Sequence, residues 1–440
     1  MKAFAWTIAA AAGIAIMGCT GKYSVGGTVT GLRGQGLVLE DNSGNDLSVS
    51  SSGAFTFTKR LRNADAYSVT IKTQPSNPSQ ACTVQNGSGT IDKADVTNIV
   101  VSCAHSGRFA YVANQLSNNL SAYAIDSATG NLTTIIGSPF AVAGTAPVSL
   151  ALDPNGRFLY VVNNGSDTVS VYAINNSTGA LAATGIPAST GSSPQSAAVD
   201  PTDRYLYVAN LASNDVSAYS INSSTGLLTQ LSNSPFSIGG APSSLQTDPA
   251  GRFLYVTDFS GGRVVALAID SATGSLSAVS GSPFGAGAGA LSIAIDPTGS
   301  FAYVANATAA TISEYSINTS TGSLTAVPGS PLATGSGAES LAIDAASRFL
   351  YAANVTAKNQ VAVYSITPGS GVLSLLGSPI AAGILPGSIV LDPSGQFAYV
   401  ANDNSNDISV YAVDSTAGVL TPVSGSPFAA GNEPRSIAID

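Results

Sequence analysis

Seven aspartates recur through the last three quarters of the chain: Asp153, Asp200, Asp248, Asp296, Asp344, Asp392 and Asp440, at steps of 47 and then 48 residues. Five residues before each stands a position that varies: Val148, Gln195, Ser243, Leu291, Glu339, Gly387 and Arg435. Glu339 and Arg435 are the only charges in that series. An acid and a base brought to one mouth could bind a sugar acid or a lactone, and Arg435 and Glu339 are the candidate catalytic groups. Left on a solvated rim, the same pair would contribute less than about 1 kcal/mol. Asp258 and Arg263 flank an unusual Ser-Gly-Gly loop, and Gln115, Gln195 and Ser243 complete the candidate ligand-binding set. A ligand site in a repeating structure must break the repeat, and these positions break it.

The repeated residues carry a different expectation. Arg157, Arg204, Arg252 and Arg348 follow four of the aspartates by four positions. Recurrence at every repeat is what a turn requires, so the Asp–Arg motif is expected to be structural. With one His and three Cys in the chain, no metal-ligand cluster is legible, and no cofactor motif appears.

The elements that position these residues follow from a second periodic motif. FAYVAN, FLYVVN, YLYVAN, FLYVTD, FAYVAN, FLYAAN and FAYVAN contain Tyr111, Tyr160, Tyr207, Tyr255, Tyr303, Tyr351 and Tyr399, spaced 47 to 49 residues apart. Periods of that size indicate propellers or solenoids. Each unit holds four strand signals: one ending at the Asp, one containing the Tyr, one like VSVYAI, and one after Thr-Gly. Four strands per unit make a propeller blade. Asp-Pro-x-Gly joins the first strand to the second, as at Asp153–Gly156, and Asp or Asn with Thr-Gly joins the third to the fourth. The first Tyr-containing strand has no partner before it, and the strand ending at Asp440 has none after it. Placing 434–440 innermost in the first blade pairs them, removes open edges and gives seven blades. Asp440 is then expected to face Arg108 across the seam.

Residues 23–104 read as a separate small β module. Its strand signals are YSVGGTVTGL, GLVLE, DLSVSSSGAFTFT, AYSVTIKT, ACTVQ and VTNIVVSC. Six short strands fit an immunoglobulin-like or prealbumin-like sandwich. Cys82 and Cys103 fall in its last two signals and are expected to form a disulfide in an oxidising compartment.

Composition excludes several classes. Only 9% of the 440 residues are charged and 44% are hydrophobic, so a large core is affordable in apolar terms and general disorder is not expected. Gly (46 residues) and the abundant Ser, Thr and Val disfavour a helical bundle. A net charge of −9 without a basic patch speaks against nucleic acid as a partner.

Two resemblances extend the reading. Lys2, the apolar run 3–18 and Ile16-Met17-Gly18-Cys19 resemble the signal and lipobox of bacterial lipoproteins. That implies a signal peptide at 1–18, lipid on Cys19, a tether at 19–22, and attachment to a membrane of the bacterial cell envelope. Thr20 implies the outer membrane, where the host has one. The FLYVAN, VSVYAID, TGxLT and GSPF elements over 107–440 resemble the lactonase-type seven-bladed propellers, relatives of 6-phosphogluconolactonase and of YVTN-repeat surface proteins.

The second resemblance implies a channel-mouth site of His, Arg and Glu. Pro434-Arg435-Ser436 matches the Arg segment; Gln115 stands where the Glu would be, and the only His, His105, lies in the linker. The all-β chain is therefore expected to combine the sandwich at 23–104 with a seven-bladed propeller at 105–440. The first functional expectation is a lipid-anchored, non-catalytic binding protein for a glycan or an envelope protein. The alternatives are a hydrolase of a sugar lactone such as 6-phosphogluconolactone, and a structural surface repeat.

Overall fold

A computed structural model describes residues 22–32, 36–75, 81–104, 109–354 and 359–440. Every regular element among them is a β-strand. The chain divides after Ala104 into two compact units. The expected signal segment at 1–18, Cys19, His105 and Arg108 lie outside the described residues. No helix among the described residues is long and apolar enough to cross a membrane.

The first unit is a sandwich. One sheet orders Gly53–Thr56, Val25–Thr30, Val96–Ala104 and Ala81–Gln85; the other orders Asn45–Val49, Leu37–Asp41, Ala66–Thr73 and Ser88–Thr90. Val25, Val29, Leu37, Leu39, Phe55, Phe57, Ile99 and Val101 form a single core. Alternation along the strands sends these side chains inward. Cys82 and Cys103 are register partners on adjacent antiparallel strands, and a disulfide joins them. The segment DLSVSSSGAFTFT differs from its reading as one strand. It forms two strands in opposite sheets, because Gly53, at φ 136°, lets the chain turn from one sheet to the other.

The second unit contains seven antiparallel sheets of the same order. In the second blade Pro147–Leu152 is innermost, followed by Phe158–Asn163, Thr168–Ile174 and Leu181–Ala183. Each innermost strand neighbours the next, and Pro434–Ile439 neighbours both Pro147–Leu152 and Pro386–Leu391. The ring therefore closes. Pro434–Ile439 is laddered antiparallel to Phe109–Asn114 as the innermost strand of the first blade. Asp440 accepts a hydrogen bond from the Phe109 N–H at 2.8 Å.

The outermost strand differs from its single-strand reading. In each blade two short pieces pair with the third strand, as Leu132–Thr134 and Phe140–Ala141 do with Asn119–Ile125. In the first blade the chain leaves the ladder between them at Gly137-Ser138-Pro139, and the Ser138 hydroxyl accepts the Ala122 N–H at 2.9 Å. Pro has no N–H for a ladder, so the strand breaks there.

The recurring residues hold blades together. The seven tyrosines are fully buried. Tyr111 donates to the Gly179 carbonyl of the next blade at 3.0 Å, and Tyr255 does the same to Gly322. Each turn aspartate accepts backbone N–H groups, as Asp153 does from Phe158 at 2.7 Å. Arg157 pairs with the same Asp153 and lies over the Phe158 ring. These contacts satisfy a turn, as the recurrence led us to expect.

Candidate functional site

Each innermost strand carries an irregularity at its start. In the second blade Pro147 pairs with Asn163 and Ser149 with Val162, which leaves Val148 without a partner. The same shift isolates Gln195, Ser243, Leu291, Glu339, Gly387 and Arg435. A bulge releases one residue from the ladder and re-aims its side chain. The seven variable positions are therefore the seven bulge residues. With the serine that follows each of them, they line one polar cavity of about 200 Å³ at the channel mouth.

Three consecutive blades carry the charge. Glu339 belongs to the sixth blade, Gly387 to the seventh and Arg435 to the first. Beneath Gly387 lies Asp403, just after Asn402 at the end of the seventh blade's second strand. Asp403 is 3% exposed, and Arg435 Nη1 donates to its Oδ2 in an ion pair. Asp403 Oδ1 is buried with no hydrogen-bond partner among the described residues. Burial lifts the Asp403 pKa to about 6; Arg435 opposes the rise, and the charges of Glu339 and Glu433 add to it. Burial also raises the Glu339 pKa, again opposed by Arg435. For Arg435, burial works against the charge, but Asp403, Glu339 and Glu433 hold its pKa above the ordinary arginine value.

Glu339 makes no ion pair with Arg435 among the described residues, although the two share one cavity. A desolvated carboxylate on the lining can take a proton from a bound water. A guanidinium fixed from behind by Asp403 can stabilise a developing oxyanion. The described residues contain no cluster of three or more His, Cys, Asp or Glu able to hold a metal.

The expected site residues divide into two groups. Gln195, Ser243, Glu339 and Arg435 line the cavity; Gln115, Asp258 and Arg263 do not. Gln115 instead donates its backbone N–H to the Glu433 carbonyl at 2.8 Å. Asp258 is fully buried, and Arg263 donates to it at 2.7 Å. Burial opposes the Asp258 charge, but hydrogen bonds from Gly261, Arg263, Ser260 and Ala241 hold its pKa below the ordinary value. In five other blades an Asn at this place bonds the third strand, as Asn306 does to Thr311 and Ser313. Asp258 and Arg263 are thus a structural variant of that link.

Asp403 was missed by comparing innermost strands alone. The residues following the second strands are Gln115, Asn164, Leu211, Phe259, Ala307, Val355 and Asp403. Asp403 is the only charge in that series, and that was its signal.

The family model for lactonases of the seven-bladed β-propeller type matches residues 78–193, 104–243 and 241–437. The chain belongs to the seven-bladed β-propeller lactonase family. No curated protein matches it. Among solved structures it resembles a candidate 6-phosphogluconolactonase of Bacteroides uniformis, with 20% identity and a TM-score of 0.68, covering 76% of this chain and 100% of that one. A periplasmic gluconolactonase of Pseudomonas aeruginosa has 21% identity and a TM-score of 0.65, covering 75% and 98%. A Lactobacillus plantarum protein has 23% identity and a TM-score of 0.64, covering 76% and 100%. At these identities the structures share the fold, and function rests on the site.

Proposed function

We propose that this lactonase-family chain hydrolyses a lactone at the channel mouth. The observation that carries the reading is Arg435, held from behind by Asp403, in one cavity with the unpaired carboxylate of Glu339. Glu339 takes a proton from water as the water oxygen attacks the lactone carbonyl carbon. The carbonyl oxygen becomes an oxyanion facing Arg435. The intermediate collapses, the ring C–O bond breaks, and the departing alkoxide takes the proton from Glu339. The product is a hydroxy acid. Asp403 is a positioning residue that acts through Arg435. This reading supplies the acid that Gln115 could not.

Lactone opening by the purified chain, followed as acid release above the spontaneous rate, tests the proposal. Glu339→Gln is expected to lower kcat by about 10²–10⁴-fold and Arg435→Ala by about 10²-fold or more. Asp403→Asn is expected to act mainly through a poorly oriented Arg435. Binding of a lactone analogue without turnover by the parent chain would favour the non-catalytic reading. We further propose that the protein works in the bacterial envelope, anchored through Cys19. The lipobox-like sequence and the Cys82–Cys103 disulfide support that setting. An unchanged membrane distribution in Cys19→Ala would contradict it.

A further inference from the structure

The channel mouth has two unlike halves. A serine follows every bulge residue: Ser149, Ser196, Ser244, Ser292, Ser340, Ser388 and Ser436, and all seven line the cavity. In the sixth, seventh and first blades these serines stitch the ring. Ser340 accepts the Ile389 N–H at 3.1 Å, Ser388 that of Ile437 at 3.4 Å, and Ser436 that of Leu150 at 3.2 Å. These are the blades of Glu339, Gly387 and Arg435. In the second to fifth blades, the hydroxyls of Ser149, Ser196, Ser244 and Ser292 have no partner among the described residues. The Gln195 amide beside them has none either.

The opposite side of the mouth is charged. Glu339 and Arg435 line it, and Asp403 lies behind Arg435 beneath Gly387, outside the lining, its Oδ1 without a hydrogen-bond partner among the described residues. One wall therefore offers hydroxyls and an amide that no protein group engages among the described residues, and the other the Glu339 carboxylate and the Arg435 guanidinium. A serine hydroxyl both donates and accepts, so the uncharged wall matches groups that do both. Those are the hydroxyls of a polyol. Ionic groups fit poorly. Arg435 is the only cation on the lining and is already paired with Asp403, while Glu339 and nearby Glu433 add negative charge. A phosphate dianion would meet more repulsion than attraction at this mouth.

We propose that Ser149, Ser196, Ser244, Ser292 and Gln195 form a subsite for the hydroxyls of an uncharged polyhydroxylated ligand, and that the mouth selects unphosphorylated over phosphorylated sugar lactones. The inference deepens the hydrolase reading and rests on it for the reacting end of the ligand. Its test needs no turnover. The probes are D-glucono-1,5-lactam, a neutral isostere that resists hydrolysis, and its 6-phosphate, titrated by calorimetry against the full chain. The lactam is expected to bind at least about 10-fold more tightly than its phosphate. The triple variant Ser149→Ala/Ser196→Ala/Ser292→Ala removes hydroxyls that stitch nothing, so its melting temperature should stay at that of the parent. Its lactam affinity is expected to fall at least about 10-fold. Unchanged affinity in that variant, tighter binding of the phosphate, or no lactam binding at millimolar concentration would overturn the subsite. Lactam binding that depends on the serines, without lactone turnover, supports the subsite and removes the hydrolase reading. Turnover with serine-independent binding does the reverse.

Discussion

Gly387 is the bulge residue with no side chain, and the space it leaves is occupied from below. A Cβ there would come within 2.6 Å of Asp403 Oδ1. Gly387→Ala is therefore expected to push Asp403 off Arg435. We expect about 10–100-fold loss of lactone turnover, in the range of a misplaced catalytic group, with a stability loss of about 1–3 kcal/mol from overpacking. Parallel rate and melting measurements check this. Arg435 and Glu339 were legible in the sequence because bulge residues recur at a fixed place, so a charge there stands out. Asp258 and Arg263 were misread because a charged loop pair looks the same in sequence whether it lines a channel or buttresses a turn. A second buried acid has a different consequence. Glu314, 2% exposed, stands where other third strands carry Ala or Val, and its Oε1 accepts the Leu373 N–H at 2.9 Å. Burial raises its pKa, opposed by that hydrogen bond. A carboxyl with a raised folded-state pKa stabilises below its unfolded pKa and loses that contribution as pH rises through the folded value. Glu314→Gln is expected to be more stable than the parent at neutral pH, with the difference shrinking toward pH 4. Denaturant midpoints across that range would contradict this if the two proteins stayed parallel.

At the scale of elements, the contact between blades explains why the Thr-Gly turn recurs. Gly322 has φ of 75°, and a Cβ on it would lie 2.4 Å from the Phe253 ring of the preceding blade. Its carbonyl also accepts the Tyr255 hydroxyl. Conformation and space both require glycine here. Gly322→Ala is expected to cost about 2–4 kcal/mol through strain and overpacking, read as a lower denaturant midpoint, whereas Gly369→Ala, with open space around it, should suffer only the strain of its φ of 76°. The strands themselves were legible because alternation and turn residues are local signals. The split of the outer strand was not, since apolar residues flank it on both sides and the turn that interrupts the ladder, closed in the first blade by the Ser138 N–H to the Ile135 carbonyl, leaves little mark in the sequence beyond its proline. The crossing at Gly53 escaped for a similar reason: one glycine changes sheets without changing composition.

At the scale of the whole molecule, the ring depends on its last strand. Pro434–Ile439 carries Arg435 and Ser436 to the mouth and covers the edge of Phe109–Asn114. Removing 434–440 would expose that edge and delete the candidate oxyanion group together. The truncated chain is expected to aggregate and to lose turnover, while Asp440→Asn, which retains an oxygen to accept the Phe109 N–H, should fold and remain soluble. Size-exclusion chromatography distinguishes these outcomes. The closure was legible because counting strands leaves one unpaired at each end of the repeat. The site was only half legible, because Arg435 and Asp403 meet across two blades and no periodic comparison along one strand joins them. Glu339 is the proposed base beside Arg435. The pH profile of kcat/KM for D-glucono-1,5-lactone, with the spontaneous rate subtracted, tests it most directly. An acid limb above the range of an ordinary glutamate is expected, set by Glu339 and by Asp403 acting through Arg435, with loss of the rate in Glu339→Gln. A parent rate equal to the spontaneous one, or a parent-like rate in Glu339→Gln, would rule that role out.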